Sequence, residues 1–285
     1  MYVLCSPCIL NPGLRAEGIT RASDLELFAR VQDRCRKFSL EMVPLPCVET
    51  RHLGCGRRPG TFLERLNTPE FSRVMKEQEA NVRQLIAQRG PPVCIVGVNS
   101  SPTCGVTSTY YGSDGTTPPK RSARGVFLSR FPTIRAFDVA AFAQYRIYLA
   151  APLFSEAERS YNTTLAARLE ENLFEVYVPQ EAGDDSGTRG NPEQEILFEK
   201  NLQALKDADI VVAIIDGADA DSGTAWEMGY AFAVEKPVIA LRTDFRRVGH
   251  HEHVNLMLER ASSVVTSVDQ LLQVLPAPLC PGPDA

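Results

Sequence analysis

Residues 210–215, Ile-Val-Val-Ala-Ile-Ile, form an apolar run in which every residue but Ala213 is β-branched. A run this short, with no polar alternation, reads as a strand covered on both faces of a parallel sheet. Parallel strands need crossover connections, usually helical, so the run commits the surrounding chain to an α/β architecture. In open parallel sheets ligands bind at the carboxyl ends of the strands. Just beyond that end lies Asp221-Ser-Gly-Thr-Ala-Trp-Glu227-Met-Gly-Tyr-Ala231. It sets one carboxylate in the loop after the strand and a second six residues on, in what reads as the first turn of a helix. Gly223 and Gly229 flank Glu227 and keep the approach open for a flat ligand. Acids at that edge suit chemistry on a small molecule. The plain structural alternative is an N-cap at Asp221 and an exposed helix acid at Glu227.

The rest of the C-terminal half has the same grammar. Residues 146–158 read as a short apolar strand, a loop and a helix start, with Ser155 as N-cap and Glu158 at the capping-box offset. Residues 201–209 run as a helix into the 210–215 strand. Residues 236–244 read as a further strand ending in polar residues, and 254–258 lie near the start of another helical stretch. In order and spacing these pieces resemble the nucleoside 2-deoxyribosyltransferase family over roughly residues 145–275. The resemblance implies a flavodoxin- or Rossmann-like parallel sheet with helices on both faces. It also implies Glu227 as nucleophile, Asp221 as the base-contacting acid, Tyr148 as the early-strand tyrosine, and Gly223 beside the substrate. It puts Asn255 and Met257 where family members can reach a neighbouring subunit's pocket, which makes a homo-oligomer an expectation. Where well-studied members carry an aspartate that helps protonate the base, this chain has Asn201. An amide can hold a nucleobase edge but is no general acid at neutral pH.

The residues fit that chemistry on their own terms. Breaking an N-glycosidic bond passes through an oxocarbenium-like state that a nearby carboxylate can trap as a glycosyl ester. A second polar group must engage the departing base, because a free nucleobase anion leaves poorly. Glu227 and Asp221 would fill those roles, with Tyr148 orienting the nucleophile through its phenol. The bland readings are a strand aromatic for Tyr148, a helix-surface amide for Asn201 and a core methionine for Met257. Residues 150–155 lack the arginine and extra glycines expected of a 5′-phosphate cradle, which favours nucleosides over nucleotides. No cofactor is expected in this half.

At 285 residues the chain is longer than one ordinary domain. A net charge of -5 argues against a general nucleic-acid surface, and no apolar run approaches the length of a membrane span. The N-terminus has no signal-peptide pattern, so a cytoplasmic location is expected. In a reducing compartment eight cysteines point to metal or redox chemistry rather than a disulfide framework. Seven of them lie in the first 104 residues, which marks two domains with different chemistry.

The N-terminal half also reads as α/β, with strands near 1–4, 41–45 and 93–98 and helices over 22–37 and 69–88. Cys8, Cys47 and Cys104 each follow a strand-like segment, and strand ends of a parallel sheet converge on one edge. Three converging thiolates suit zinc with an open position, or an iron–sulfur cluster with one iron not held by protein. Cys8-Ile-Leu, Cys47-Val-Glu49 and Ser101-Pro-Thr-Cys104-Gly resemble the Cys-Leu-Leu, Cys-Pro-Glu and Ser-Pro-Ser-Cys-Gly signatures of the thiouracil desulfidase family. That resemblance spans roughly residues 1–112. It implies a 4Fe–4S cluster on Cys8, Cys47 and Cys104, with Glu49 as an acid or base near the substrate and Ser101 hydrogen-bonding the same ligand. Val48 replaces the family's proline, and residues 54–59, Gly-Cys-Gly-Arg-Arg-Pro, replace its downstream Gly-Leu-Pro-Thr-Pro-Arg type segment. Cys35 and Cys94 read as small buried hydrophobes.

Residues 112–125 and 180–192 are rich in turn formers and read as loops. The expected division is 1–142, a desulfidase-like domain, and 143–285, a deoxyribosyltransferase-like domain. Together they suggest an enzyme of modified nucleosides that desulfurises a thiolated pyrimidine and cleaves or transfers a glycosyl group. Its partners would be a small nucleoside or nucleobase, with neither nucleic acid nor membrane. The alternative is a non-enzymatic nucleoside- or nucleotide-binding sensor of redox state or iron.

Overall fold

The computed structural model describes residues 1–112, 119–181, 191–246 and 254–279. The chain divides into two compact units, one running to Ala143 and the other starting at Gln144.

The first unit is built from β1 (Tyr2–Cys5), α1 (Ala22–Lys37), β2 (Glu41–Pro44), α2 (Val48–Leu53), α3 (Phe62–Arg65), α4 (Pro69–Arg89), β3 (Ile95–Gly97), β4 (Thr109–Tyr110), β5 (Lys120–Arg121), β6 (Ala136–Asp138) and α5 (Val139–Phe142). Its main sheet has the order β2-β1-β3-β6 with every pairing parallel. β1 is buried along its whole length, so Cys5 is a core residue inside the strand rather than part of the loop after it. Leu4, Val43, Ile95, Phe71, Phe127 and Leu128 share one apolar cluster. Thr68 caps α4 by accepting from Phe71 N at 3.1 Å, and Pro69 takes the first helical position, where no backbone donor is missed. The helix stops at Gly90, whose φ of +82° suits glycine.

Two features depart from the sequence reading. β6, only three residues long, completes the sheet within a stretch that carries no strand pattern. Part of the expected 112–125 loop is instead an antiparallel ribbon, with Thr109 opposite Arg121 and Tyr110 opposite Lys120. Cation–π contacts hold the ribbon: the Arg121 guanidinium lies 4.1 Å from the Tyr111 ring centre, and the Lys120 ammonium 5.8 Å from that of Tyr110. Residues 113–118 of that segment lie outside the described residues.

The second unit contains β7 (Arg146–Ala150), α6 (Glu156–Glu170), β8 (Glu175–Tyr177), α7 (Asn191–Asp207), β9 (Ile210–Ile214), α8 (Ser222–Ala233), β10 (Val238–Leu241), α9 (Leu256–Arg260), β11 (Ser263–Val265) and α10 (Val268–Val274). Its sheet has the order β11-β10-β9-β7-β8 and is parallel throughout. The unit is therefore α/β, with a doubly wound order of the flavodoxin type. The winding reverses between β7 and β9, which makes their carboxyl ends the switch point where such sheets bind ligands. β9 is fully buried, as its unbroken β-branched run requires. Ser155 caps α6 and Glu158 reaches back to Ser155 N at 2.7 Å, closing the capping box.

α7 starts at Asn191, ten residues before the expected 201, so the predicted 180–192 loop is shorter; residues 182–190 lie outside the described residues. α8 starts at Ser222, which puts Glu227 in the second helical turn rather than the first. The buried Arg242 donates to Ile215 O at 2.6 Å and Gly217 O at 3.1 Å, while Asp216 accepts from Thr243 N and Asp244 N. These bonds tie the loops after β9 and β10 together at the sheet edge that carries Asp221.

Candidate functional site

In the second unit Tyr148, wholly buried on β7, donates its hydroxyl to Glu227 Oε1 at 2.5 Å. Glu227 reaches that position because α8 packs over β7 and β9. Burial is the main reason its carboxyl is pushed up to about 7, and the nearby Asp221 charge adds to the rise. The Tyr148 hydrogen bond favours the ionised form and opposes both. Burial first, then the Glu227 charge, pushes the Tyr148 phenol in turn far above its ordinary value, so it stays a donor.

Asp221 is the N-cap of α8: its Oδ2 accepts from Gly223 N at 2.9 Å and Thr224 N at 3.1 Å. The plain structural reading of Asp221 is thus observed, together with its electrostatic coupling to Glu227. A Cβ at Gly223 would lie 3.0 Å from the same carboxylate oxygen, a tight contact with the cap. Gly229 has open space where a Cβ would stand.

Register brings in a residue that sequence reasoning missed. Tyr148 and Tyr177 are direct partners in the β7–β8 ladder, so their side chains share a face. Their rings stack at 5.5 Å with planes 19° apart, and the Tyr177 hydroxyl donates to Asn201 Oδ1 at 2.8 Å. The result is a row: Glu227, Tyr148, Tyr177, Asn201. Tyr177 was hidden because β8 is three residues long and carries no alternation. Next to Glu227 in α8, the exposed Trp226 stacks on Tyr230 at 5.6 Å, and the Phe198 ring lies 6.3 Å from it, tilted by 59°. Asn255 and Met257 are not hydrogen-bonded to the row among the described residues. Asn255 caps α9 by accepting from Met257 N at 3.0 Å, and the Met257 side chain is 76% exposed.

In the first unit a cavity of about 830 Å³ is lined by Cys8, Cys47, Cys104, Glu49, Ser101 and Arg57, among others. The three thiols come from the loops after β1, β2 and β3, at the carboxyl edge of the sheet. Cys47 caps α2, its Sγ accepting from Thr50 Oγ1 at 3.0 Å and Thr50 N at 3.4 Å. Burial pushes the Cys104 thiol up to about 12; the Thr103 hydroxyl opposes this and the Glu49 charge adds to it. Cys8 is raised further by burial and by the neighbouring Cys104 and Cys47, so the three groups sense one another. Among the described residues, no three His, Cys, Asp or Glu side chains converge as a single metal ion would need.

Glu49 is the hub of this cavity. Its Oε1 accepts from Thr103 Oγ1 at 2.6 Å and Ser101 Oγ at 3.2 Å; its Oε2 accepts from Arg57 Nη2 at 3.0 Å and Nε at 3.2 Å. Arg57, buried, also donates to Leu14 O and to Thr50 Oγ1, which in turn holds Cys47. Sequence reasoning named Glu49 and Ser101 but not Arg57, Thr50 or Thr103. The Arg57 signal was an arginine pair in the 54–59 segment with no visible partner. The loop carrying Ser101 and Cys104 is closed by Gly105 and Gly125. A Cβ on either would come within 2.3 Å of Ser108 O or 2.4 Å of the Thr103 carbonyl carbon.

No helix among the described residues is long and apolar enough to cross a membrane. Residues 147–263 match the nucleoside 2-deoxyribosyltransferase family model. A nucleoside deoxyribosyltransferase of Limosilactobacillus fermentum is 30% identical over 129 residues, 41% of this chain and 76% of that protein. An uncharacterised protein of Ureaplasma parvum is also 30% identical over 129 residues, 40% of this chain and 78% of that protein. A solved structure of the 4Fe–4S-dependent thiouracil desulfidase TudS is similar at 16% identity and a TM-score of 0.33, over 48% of this chain and 89% of that one. That last likeness is too slight to carry chemistry across, whereas the relatives at 30% identity are covered over three quarters of their length. Through its second unit, the chain belongs to the nucleoside 2-deoxyribosyltransferase family.

Proposed function

We propose that the second unit breaks the N-glycosidic bond of a nucleoside with Glu227 as nucleophile. The observation that carries this reading is the 2.5 Å bond from Tyr148 to a carboxyl held near neutrality by burial. A half-buried carboxylate is weakly hydrated, which keeps it reactive. The phenol fixes one of its oxygens and leaves the other for C1′ of the sugar. As the bond to the base breaks, Glu227 forms an ester with C1′, and water or a second base then displaces it. Asp221, whose Oδ2 holds the start of α8, would engage the departing base. Met257, largely exposed, suits a contact with a second copy of the chain. Base release or exchange from 2-deoxynucleosides, followed by chromatography, tests the reading. Activity lost in Glu227→Ala supports it, and activity retained overturns it.

For the first unit the proposal is removal of sulfur from a thiolated pyrimidine. What supports this reading is three soft thiols, Cys8, Cys47 and Cys104, lining one roomy cavity, a donor set suited to an iron–sulfur cluster. Cys8, Cys47 and Cys104 would hold it, and when bound a 4Fe–4S cluster with an open iron supplies a sulfur acceptor. Glu49, fixed by Arg57, Ser101 and Thr103, orients the polar edge of the base. Ser101 also holds the loop by accepting from Cys104 N at 3.0 Å.

A further inference from the structure

The cavity of the first unit serves its thiols unequally, and this inference rests on the reading of Cys8, Cys47 and Cys104 as cluster ligands. Cys47 Sγ accepts from Thr50 Oγ1 at 3.0 Å and from Thr50 N at 3.4 Å. The Thr50 hydroxyl has a single proton to give, and its other acceptor, Leu14 O, is farther off at 3.4 Å. Its oxygen meanwhile accepts from Arg57 Nη1 at 3.0 Å. Linked hydrogen bonds polarise one another, so a hydroxyl that accepts from a cation donates more strongly. The Arg57 charge thus reaches the Cys47 sulfur through one O–H group. Only 6% of the Arg57 side chain is exposed, so water screens this chain of bonds little. The remaining nitrogens of the same guanidinium, Nη2 and Nε, are spent on Glu49 at 3.0 and 3.2 Å.

Cys104 has a donor of another kind. The Thr103 hydroxyl lies 3.5 Å from its Sγ but is committed to Glu49 Oε1 at 2.6 Å. Ser6, fully buried, stands beside the same thiol, and its hydroxyl has no hydrogen-bond partner among the described residues. A buried hydroxyl without an acceptor is costly. A metal-bound thiolate at Cys104 supplies one, whereas a neutral thiol accepts weakly. That orphaned hydroxyl therefore fits the cavity as a seat for a thiolate-bound group. Cys8 senses the Arg15 charge but has no hydrogen bond to its sulfur among the described residues.

We propose that Thr50, held by Arg57, and Ser6 are positioning residues that donate to the Cys47 and Cys104 sulfurs of a bound iron–sulfur cluster and so raise its affinity for electrons. A donor on a ligand sulfur draws negative charge off it, which favours the more negative, reduced form. The same withdrawal leaves an open iron poorer in electrons, which suits uptake of a soft sulfur. Arg57 ties this setting to Glu49. The acid that meets the base and the sulfur that holds the metal share one cation.

The test uses full-length wild type, Thr50→Val, Thr50→Ser, Arg57→Lys and Ser6→Ala, each reconstituted anaerobically with iron and sulfide. Iron is counted per chain, and the midpoint potential is read by a redox titration followed through visible absorption. Thr50→Val keeps the backbone donor and the size of the side chain but removes the hydroxyl. It should make the cluster about tenfold harder to reduce, the worth of one hydrogen bond, or about 59 mV for one electron. Thr50→Ser, which keeps the hydroxyl, should stay at the wild-type potential. Arg57→Lys keeps the charge, but an ammonium cannot copy the planar fork that spans Glu49 and Thr50, so the potential should fall in the same direction. Ser6→Ala should lower it as well, and its effect should add to that of Thr50→Val because the two act on different sulfurs. Loss of folding would cut the iron count, whereas a merely structural role would leave the potential of the loaded protein unmoved. A full cluster whose potential is unmoved in Thr50→Val or in Arg57→Lys, or as low in Thr50→Ser as in Thr50→Val, overturns the inference and leaves the cluster reading standing. An unmoved potential in Ser6→Ala strikes Ser6 from it. No cluster in the wild type removes that reading and the inference together.

Discussion

Replacing Glu227 by Gln separates what this residue costs the fold from what it does for chemistry. The glutamine keeps a carbonyl oxygen to accept from Tyr148 but removes the charge. In the folded chain the Glu227 carboxyl titrates at about 7, against an ordinary value of 4.5, so the native state holds this proton more tightly than the unfolded chain. Stability therefore declines as pH rises from 4.5 toward 7, and the full penalty is present above 7. A rise of that size is worth about 3 kcal/mol. Urea unfolding followed by the fluorescence of Trp226, the chain's one tryptophan and a neighbour of Glu227, reports on this unit. Glu227→Gln should be more stable than wild type by about 3 kcal/mol at pH 8, and within about 0.5 kcal/mol of it at pH 4.5. Base release should be absent at both values. An equal gain at the two pH values, or a loss at pH 8, would refute the claim that burial of this carboxylate is what makes it reactive.

Tyr148→Phe removes the one contact that favours the charged form of Glu227, so the acid limb of kcat/KM should move up by about one pH unit; an unmoved limb contradicts the Tyr148 role. Arg57→Met leaves the Glu49 carboxyl without its cation in a pocket where both side chains are largely buried. It should cost the first unit about 3 kcal/mol or more in thermal unfolding, and a cost under about 1 kcal/mol would show that the pair does not hold the cavity. Gly125→Ala drives a Cβ against the Thr103 carbonyl and should destabilise by about 1–3 kcal/mol, with the loss seen as weaker amide-exchange protection around Thr103. Anaerobically purified protein should carry about four irons and four sulfides per chain, lost in Cys104→Ala; colourless protein after cluster reconstitution removes the first unit's proposed chemistry.

Much of the fold was legible because its central strands advertise themselves. A fully buried parallel strand has no polar face to disguise it, and β9 stands out for that reason. The capping box at Ser155 and Glu158 needed only a three-residue offset. What stayed hidden was short or non-local. β6, β8 and β11 have three residues each, too few to show a period, and owe their state to pairing with a neighbour already in place. α8 begins directly at its N-cap, so Glu227 lies a turn deeper than expected. Glu227 and Asp221 were nameable from their spacing after the buried strand, and Tyr148 and Asn201 from the resemblance to the family. Tyr177 was not, because its importance comes from sitting opposite Tyr148 in a ladder. Arg57 was equally opaque: its partner Glu49 is eight residues away, and only the turn after α2 folds the guanidinium back onto it.

The most direct test of the central claim is to trap the glycosyl-enzyme. A slow 2-deoxynucleoside whose 2′ position carries fluorine, an analogue that stabilises such esters, would be incubated with the intact protein and the product analysed by peptide mass spectrometry. A mass increase of one fluorinated deoxyribosyl group on the peptide containing Glu227, absent in Glu227→Gln, is the expected result. Release of base with no adduct on that peptide, or an adduct on another residue, would contradict it.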